Sequence, residues 1–149
     1  MTLPTIILRH RRENLKKCSL HGLEGRSDLQ FLIYPKDFLP DLSAYCLLAI
    51  GAPLLTQEDC EQGIFLIDAT WRLAERITRQ CPRMQMRSLP PIYRTAYPRR
   101  QTECLDPEKG LASVEALYLA HLIVKKPVAG LLDAYHWREE FLRINNLYS

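Results

Sequence analysis

The chain has 149 residues, 47% of them hydrophobic, with 20 Lys and Arg against 17 Asp and Glu, a net charge of +3 and a pI near 8.6. This is one domain's length with enough apolar content for a core, and no apolar run approaches the ~20 residues that crossing a bilayer requires. The excess of positive charge is small, so a nucleic-acid partner has to be argued from where the charge lies.

Residues 5–8, Thr-Ile-Ile-Leu, read as a first strand, and a dense basic run, Arg-His-Arg-Arg-Glu-Asn-Leu-Lys-Lys, follows at once over residues 9–17. Such a run is either a solvated loop or, directly after a strand, a patch at the sheet edge where ligands collect. Residues 18–25 bring two glycines and a serine, which let backbone amides approach a ligand. Residues 31–34 form a second strand candidate, stopped by Pro35. Residues 45–50, Tyr-Cys-Leu-Leu-Ala-Ile, suit a strand buried on both faces. They stop at Gly51-Ala52-Pro53, an ordinary loop or a place for close backbone contact with a flat ligand such as a purine. Residues 56–62 predict a short helix with an N-cap and early acids.

The stretch that organises the chain is 63–74, Gly-Ile-Phe-Leu-Ile-Asp-Ala-Thr-Trp-Arg-Leu-Ala. An unbroken apolar run ends at Asp68, Thr70 can cap a helix, and Trp71, Ala74 and Ile77 recur at helical spacing through residue 80. A strand, a tight turn and a helix put Asp68 and Trp71 beyond the carboxyl end of a strand, where α/β sheets bind ligands. Read locally, the same residues are equally a helix cap and a core tryptophan.

Residues 84–89 and 92–95 offer short basic strand-like pieces around Pro90 and Pro91. Residues 93–100 interleave tyrosines with Arg94, Arg99 and Arg100, a composition that stacks on bases and contacts phosphates, or else makes a half-buried loop. Residues 101–110 are polar and turn-rich. Ser113 opens a helix with Glu115 in its first turn, and Pro127 begins a last helix towards Asn145. Cys18, Cys46, Cys60, Cys81 and Cys104, with four histidines, show no ligand spacing, so reduced thiols and no metal are expected. The basic start lacks an h-region and a cleavage site, so a soluble, cytoplasmic, single-domain protein over 1–149 is expected.

Taken in order, several of these segments resemble the DTW-domain proteins and their relatives, the aminocarboxypropyltransferases that modify uridine in tRNA and pseudouridine in small-subunit rRNA. Asp68-Ala69-Thr70-Trp71 is similar to the family's Asp-x-Thr/Ser-Trp, and Leu111-Ala112-Ser113-Val114-Glu115-Ala116 to its Leu-x-Thr/Ser-x-Glu-Ala helix opening. Leu89-Pro90 and the segment from Tyr93-Arg94 to Arg100 are similar to its Leu-Pro and Tyr-x-x-Arg elements. Leu8-Arg9-His10-Arg11-Arg12-Glu13 looks like its first strand and His-Pro-x-Glu turn, with arginine for proline. Lys16-Lys17-Cys18-Ser19 and the Phe141-Leu142-x-x-Asn145 ending resemble the ribosomal branch. The chain departs from the pattern with alanine at 69 in place of glycine, and with residues 97–100 in place of the ribosomal branch's Asn-Tyr-Gly-Arg. It therefore falls between the branches, and the RNA target stays open between tRNA and rRNA.

The resemblance implies an α/β fold, a SPOUT-like open, mostly parallel sheet with flanking helices and a C-terminal trefoil knot. It implies S-adenosylmethionine as cofactor and transfer of its 3-amino-3-carboxypropyl group to N3 of a uridine or pseudouridine in structured RNA, with release of methylthioadenosine. The expected catalytic residues are Asp68, as partner of the cofactor's α-ammonium or as general base, and Trp71, packed against the sulfonium. Gly51, Ala52, Pro53, Leu89 and Ile92 would line the adenine pocket, while Ser19 and Ser113 would hold the carboxylate. Glu115 is the alternative carboxylate, although its helix position already explains it. Phosphates would meet Arg9, Arg11, Arg12, Lys16 and Lys17 on one side and Arg94, Arg99 and Arg100 on the other. A monomer without membrane or metal partners is expected. The rival readings are a SPOUT-type RNA methyltransferase and a non-catalytic RNA-binding module.

Overall fold

The computed structural model describes residues 3–10, 19–59, 61–69, 71–97 and 111–147, with the side chains of Trp71 and Arg72 outside that set. Its strands are β1 (Thr5–His10), β2 (Leu29–Tyr34), β3 (Tyr45–Leu48), β4 (Gly63–Asp68) and β5 (Gln85–Arg87). They pair in the order β2-β1-β4-β3-β5, and every pairing is parallel. Parallel strands need crossover connections that cover both faces of the sheet, which is why the apolar runs are continuous rather than alternating.

Helix α1 (Trp71–Gln80) covers one face, and α2 (Ser113–Ile123) with α3 (Arg138–Ile144) covers the other. The two-residue period of the strands divides the core accordingly. Ile6, Leu8, Leu47 and Phe65 pack with Ile77 of α1, while Ile7 and Leu66 pack with Val114 and Leu117 of α2 and Phe141 of α3. Cys46 and Ile64 meet Ala120 beneath the second half of α2. The adjacent strands β1 and β4 are buried at all but one residue each and set Arg9 opposite Asp68 in register.

Gly63 starts β4 beneath the Tyr45 ring, where a Cβ would lie 2.3 Å from Cε2. The ring has little room to retreat, because the Tyr45 hydroxyl donates to the Pro4 carbonyl at 2.7 Å.

Three expected elements differ. Residues 56–62 shorten to a 3₁₀ turn at Gln57–Asp59, closed by the Asp59 carboxylate accepting from the Thr56 amide at 3.0 Å. Residues 92–95 form no strand: the Tyr93 amide closes a turn on the Pro90 carbonyl, and the Asn145 side chain takes both backbone groups of Arg94. The last helix does not start at Pro127. Gly130 takes φ +82°, and amide-to-carbonyl bonds from 131 to 128, 133 to 130 and 135 to 132 make successive turns, so α3 begins only at Arg138. Among the described residues, no helix is long and apolar enough to cross a membrane.

Candidate functional site

Because the strands are parallel, their carboxyl ends share one edge, and there a cleft of about 530 Å³ opens. Its walls are residues 48–52 beyond β3, Leu66, Ile67 and Ala69 at the end of β4, residues 88–91 beyond β5, Tyr93, and Leu111, Ser113 and Ala116 of α2 and its approach. The volume and the apolar lining suit a small organic ligand. The two loops forming one side are laced together. The Ser88 amide donates to the Pro53 carbonyl and the Leu55 amide to the Ser88 carbonyl, both at 2.8 Å, and the Ser88 hydroxyl donates to the Ala52 carbonyl at 2.6 Å. Gly51 makes the bend at φ +84°, a left-handed conformation that glycine adopts without strain.

Of the expected pocket residues, Gly51, Ala52, Leu89 and Ser113 line this cleft. Pro53 and Ile92 do not. Pro53 is turned into the lacing with Ser88, and Ile92 is 77% exposed. Trp71 is the first residue of α1, three positions after Asp68.

Ser113 joins the cleft to a buried polar cluster. Its hydroxyl donates to Asp68 Oδ1 at 2.7 Å, and Arg9 Nε donates to Asp68 Oδ2 at 3.3 Å. Arg9 Nη1 also lies 3.5 Å from Glu24 Oε1, and its guanidinium stacks 4.7 Å from the centroid of Phe31. Burial works against charge on Glu24, but its own amide, Arg9 and the Gly22 amide outweigh it and hold the carboxyl below its ordinary range. The expectation that Arg9 meets RNA phosphates is corrected here. It is only 5% exposed, the inward partner of Asp68 across the β1–β4 register. Asp68 thus takes both the Arg9 guanidinium and the Ser113 hydroxyl beside the cleft.

The start of α2 is held by side chains from distant parts of the chain. Ser19 Oγ accepts from the Val114 amide at 3.1 Å, so the cap comes from a residue 95 positions away, while Ala112 occupies the N-cap position itself. Ser19 is thus brought to the residue that follows Ser113. Glu115, fully buried, accepts four hydrogen bonds: from the Ala112 amide (2.8 Å), Thr95 Oγ1 (2.6 Å), the Ala96 amide (2.8 Å) and the Tyr135 hydroxyl (2.9 Å). That set accounts for a buried carboxylate without a catalytic role. Asn145, quoted in the sequence only as part of the 141–145 ending, stands at the carboxyl end of α3 and binds both backbone groups of Arg94. Its signal was the amide side chain at a helix C-cap, a residue type that binds free backbone groups.

Arg11, Arg12, Lys16, Lys17, Arg99 and Arg100 lie outside the described residues. Arg94 is exposed. Among the described residues, no three His, Cys, Asp or Glu side chains come together as they would around a metal ion.

No family model matches the chain, and no curated protein matches it. Among solved structures it is similar to the SAM-dependent rRNA:acp-transferase Tsr3 from Vulcanisaeta distributa, with a TM-score of 0.71 and 23% identity over 99% of this chain and 81% of that one. The likeness is one of fold: an α/β architecture shared along nearly the whole chain.

Proposed function

We propose that this chain is an RNA-modifying transferase that takes S-adenosylmethionine in the cleft and transfers the 3-amino-3-carboxypropyl group to N3 of a uridine or pseudouridine in tRNA or rRNA. The observation that carries the proposal is the cleft itself, apolar and of about 530 Å³, with the Ser113–Asp68–Arg9 cluster at its wall, in a fold similar to a SAM-dependent rRNA:acp-transferase. The donor set fits the cofactor. Small and apolar residues suit a flat purine, and the Asp68 carboxylate beside Ser113 suits a sulfonium and an ammonium.

When bound, S-adenosylmethionine supplies a carbon activated by its sulfonium, and the work of the chain is to present the γ-carbon rather than the methyl. Gly51, Ala52 and Leu89 hold the adenine. Trp71 packs against the cationic end, a contact worth ~0.5 to 2 kcal/mol that also selects the conformer. Ser19 orients the carboxylate at the start of α2, while Ser113, whose one hydroxyl proton goes to Asp68, accepts from the α-ammonium. Asp68 holds Ser113 in place, and its bonds from Ser113 and Arg9 favour this positioning part over a general base. Arg11, Arg12, Lys16, Lys17, Arg94, Arg99 and Arg100 meet the RNA phosphates. The proposal takes in the DTW-domain relationship, a SPOUT-type chain path with a C-terminal knot, a monomer without a metal, and work in the cytoplasm.

The test is product analysis after incubation with S-adenosylmethionine and bulk tRNA or rRNA from a strain lacking the protein. Methylthioadenosine together with a new aminocarboxypropyl-uridine is expected. Release of S-adenosylhomocysteine makes the chain a methyltransferase, and no product from either RNA pool overturns the enzyme reading.

A further inference from the structure

Residues 93–97 form no helix or strand, yet side chains from elsewhere hold their backbone closely. Asn145 Oδ1 accepts from the Arg94 amide at 2.7 Å, and Asn145 Nδ2 donates to the Arg94 carbonyl at 2.8 Å and to the Phe141 carbonyl at 2.9 Å. One side chain thus imitates a strand partner for Arg94 and is itself anchored to the end of α3. On the next residues, Glu115 takes Thr95 Oγ1 and the Ala96 amide, and Thr95 Oγ1 in turn accepts from the Tyr97 amide at 3.0 Å. Three consecutive loop residues are therefore tied to two helices.

Between these ties stands an exposed arginine whose guanidinium forms no ion pair or hydrogen bond among the described residues. Its neighbour Tyr93 lines the cleft, so the same segment is both cleft wall and cleft rim. Holding a backbone on both sides of a surface cation is a way to fix where that cation is presented. A guanidinium on a fixed backbone loses less freedom when it binds than one on a mobile loop.

We propose that Asn145 and Glu115 are positioning residues that hold 93–97 as a rigid rim, so that Arg94 receives a phosphate of the RNA strand whose base enters the cleft. This rests on the RNA-modifying function proposed above for its choice of polyanion. Arg94 makes the contact, and Asn145 acts only through it.

The experiment measures binding of a short, labelled, uridine-containing RNA hairpin by fluorescence anisotropy across a salt series, for wild type, Arg94→Ala, Asn145→Ala and the double variant. Loss of one phosphate contact weakens binding about fourfold at about 0.15 M salt and lowers the salt slope by about 0.7 to 0.9. Asn145→Ala is expected to weaken binding in the wild-type background and to add nothing in the Arg94→Ala background, while Arg94→Lys keeps most of the affinity. Additive losses, an unchanged Arg94→Ala, or a wild type that does not bind the hairpin overturn the inference. If Asn145→Ala does not fold, Asn145→Asp replaces it, since it retains the acceptor for the Arg94 amide and loses both donors. Calorimetric titration with S-adenosylmethionine separates the two proposals. Asn145→Ala should bind it as wild type does, and a wild type that fails to bind it counts against the transferase while the RNA arm still decides the rim.

Discussion

His121 sits 1% exposed between Thr5 and Pro127, with Nδ1 2.9 Å from the Pro127 carbonyl and Nε2 2.7 Å from Thr5 Oγ1. A carbonyl only accepts, so Nδ1 carries the proton and Nε2 of the neutral ring accepts from the threonine. Burial pushes the imidazole below its ordinary 6.5, and the pull of the Pro127 carbonyl and of Asp28 does not restore it against the added positive field of Lys126 and Arg26. The folded pKa therefore lies below the unfolded one. On acidification the unfolded chain takes up this proton first, so stability falls as pH drops below about 6.5 and stops falling once the folded pKa is passed. Urea midpoints measured between about pH 7.5 and about pH 5 should decline, and His121→Gln should flatten that part of the decline. In the sequence, His121 is one of four histidines without ligand spacing. Its partners, residues 5 and 127, lie on other elements, and burial is set by that tertiary contact. Arg9 was misread for the same reason: as text it opens a basic run, but the alternation of β1 turns it inward against Asp68.

At the scale of elements, signals carried by neighbouring residues were legible and those carried by distant ones were not. The apolar runs and the helical period placed β1 to β4, and α1 fills its expected span, residues 71–80. The cap of α2 from Ser19 depends on a contact across the chain and left no local trace, whereas the turns before α3 are local and their signal was Gly130, at φ +82°. Gly63 is intermediate. The sequence shows a glycine before an apolar run, and only packing shows that the Tyr45 ring occupies the space of its missing side chain. Its φ is not in the left-handed region, so the constraint is steric rather than conformational. Gly63→Ala must displace a ring anchored through its hydroxyl to Pro4, an overpacking cost of about 1–3 kcal/mol. Equilibrium urea unfolding should show that loss, and Tyr45→Leu in the Gly63→Ala background should recover part of it. Equal stability of Gly63→Ala and wild type would mean that the Tyr45 ring moves freely.

For the whole molecule, the decisive feature is that every strand ends on the same edge. The cleft draws its walls from residues as far apart as 48 and 116, so the site does not exist in the unfolded chain. The order of motifs along the sequence pointed to that edge, because each candidate ligand segment followed a strand. It could not say that β4 would lie beside β1, which sets Asp68 beside Arg9, or that β5 would pair with β3, which sets the loops after them side by side. A ligand that binds only the folded state raises its stability by about 2.7 kcal/mol at a hundredfold excess over Kd. For a domain of this size that is a melting shift of roughly 5–11 °C. S-adenosylmethionine should produce such a shift, and so should methylthioadenosine, because both carry the adenine that Gly51, Ala52 and Leu89 are proposed to hold. Trp71→Ala should reduce the first shift more than the second, since the contact assigned to Trp71 is with the cationic sulfonium that methylthioadenosine lacks. Equal reductions would return Trp71 to an ordinary packing role. A chain whose melting temperature responds to RNA but to neither nucleoside would be an RNA-binding module without the transferase chemistry.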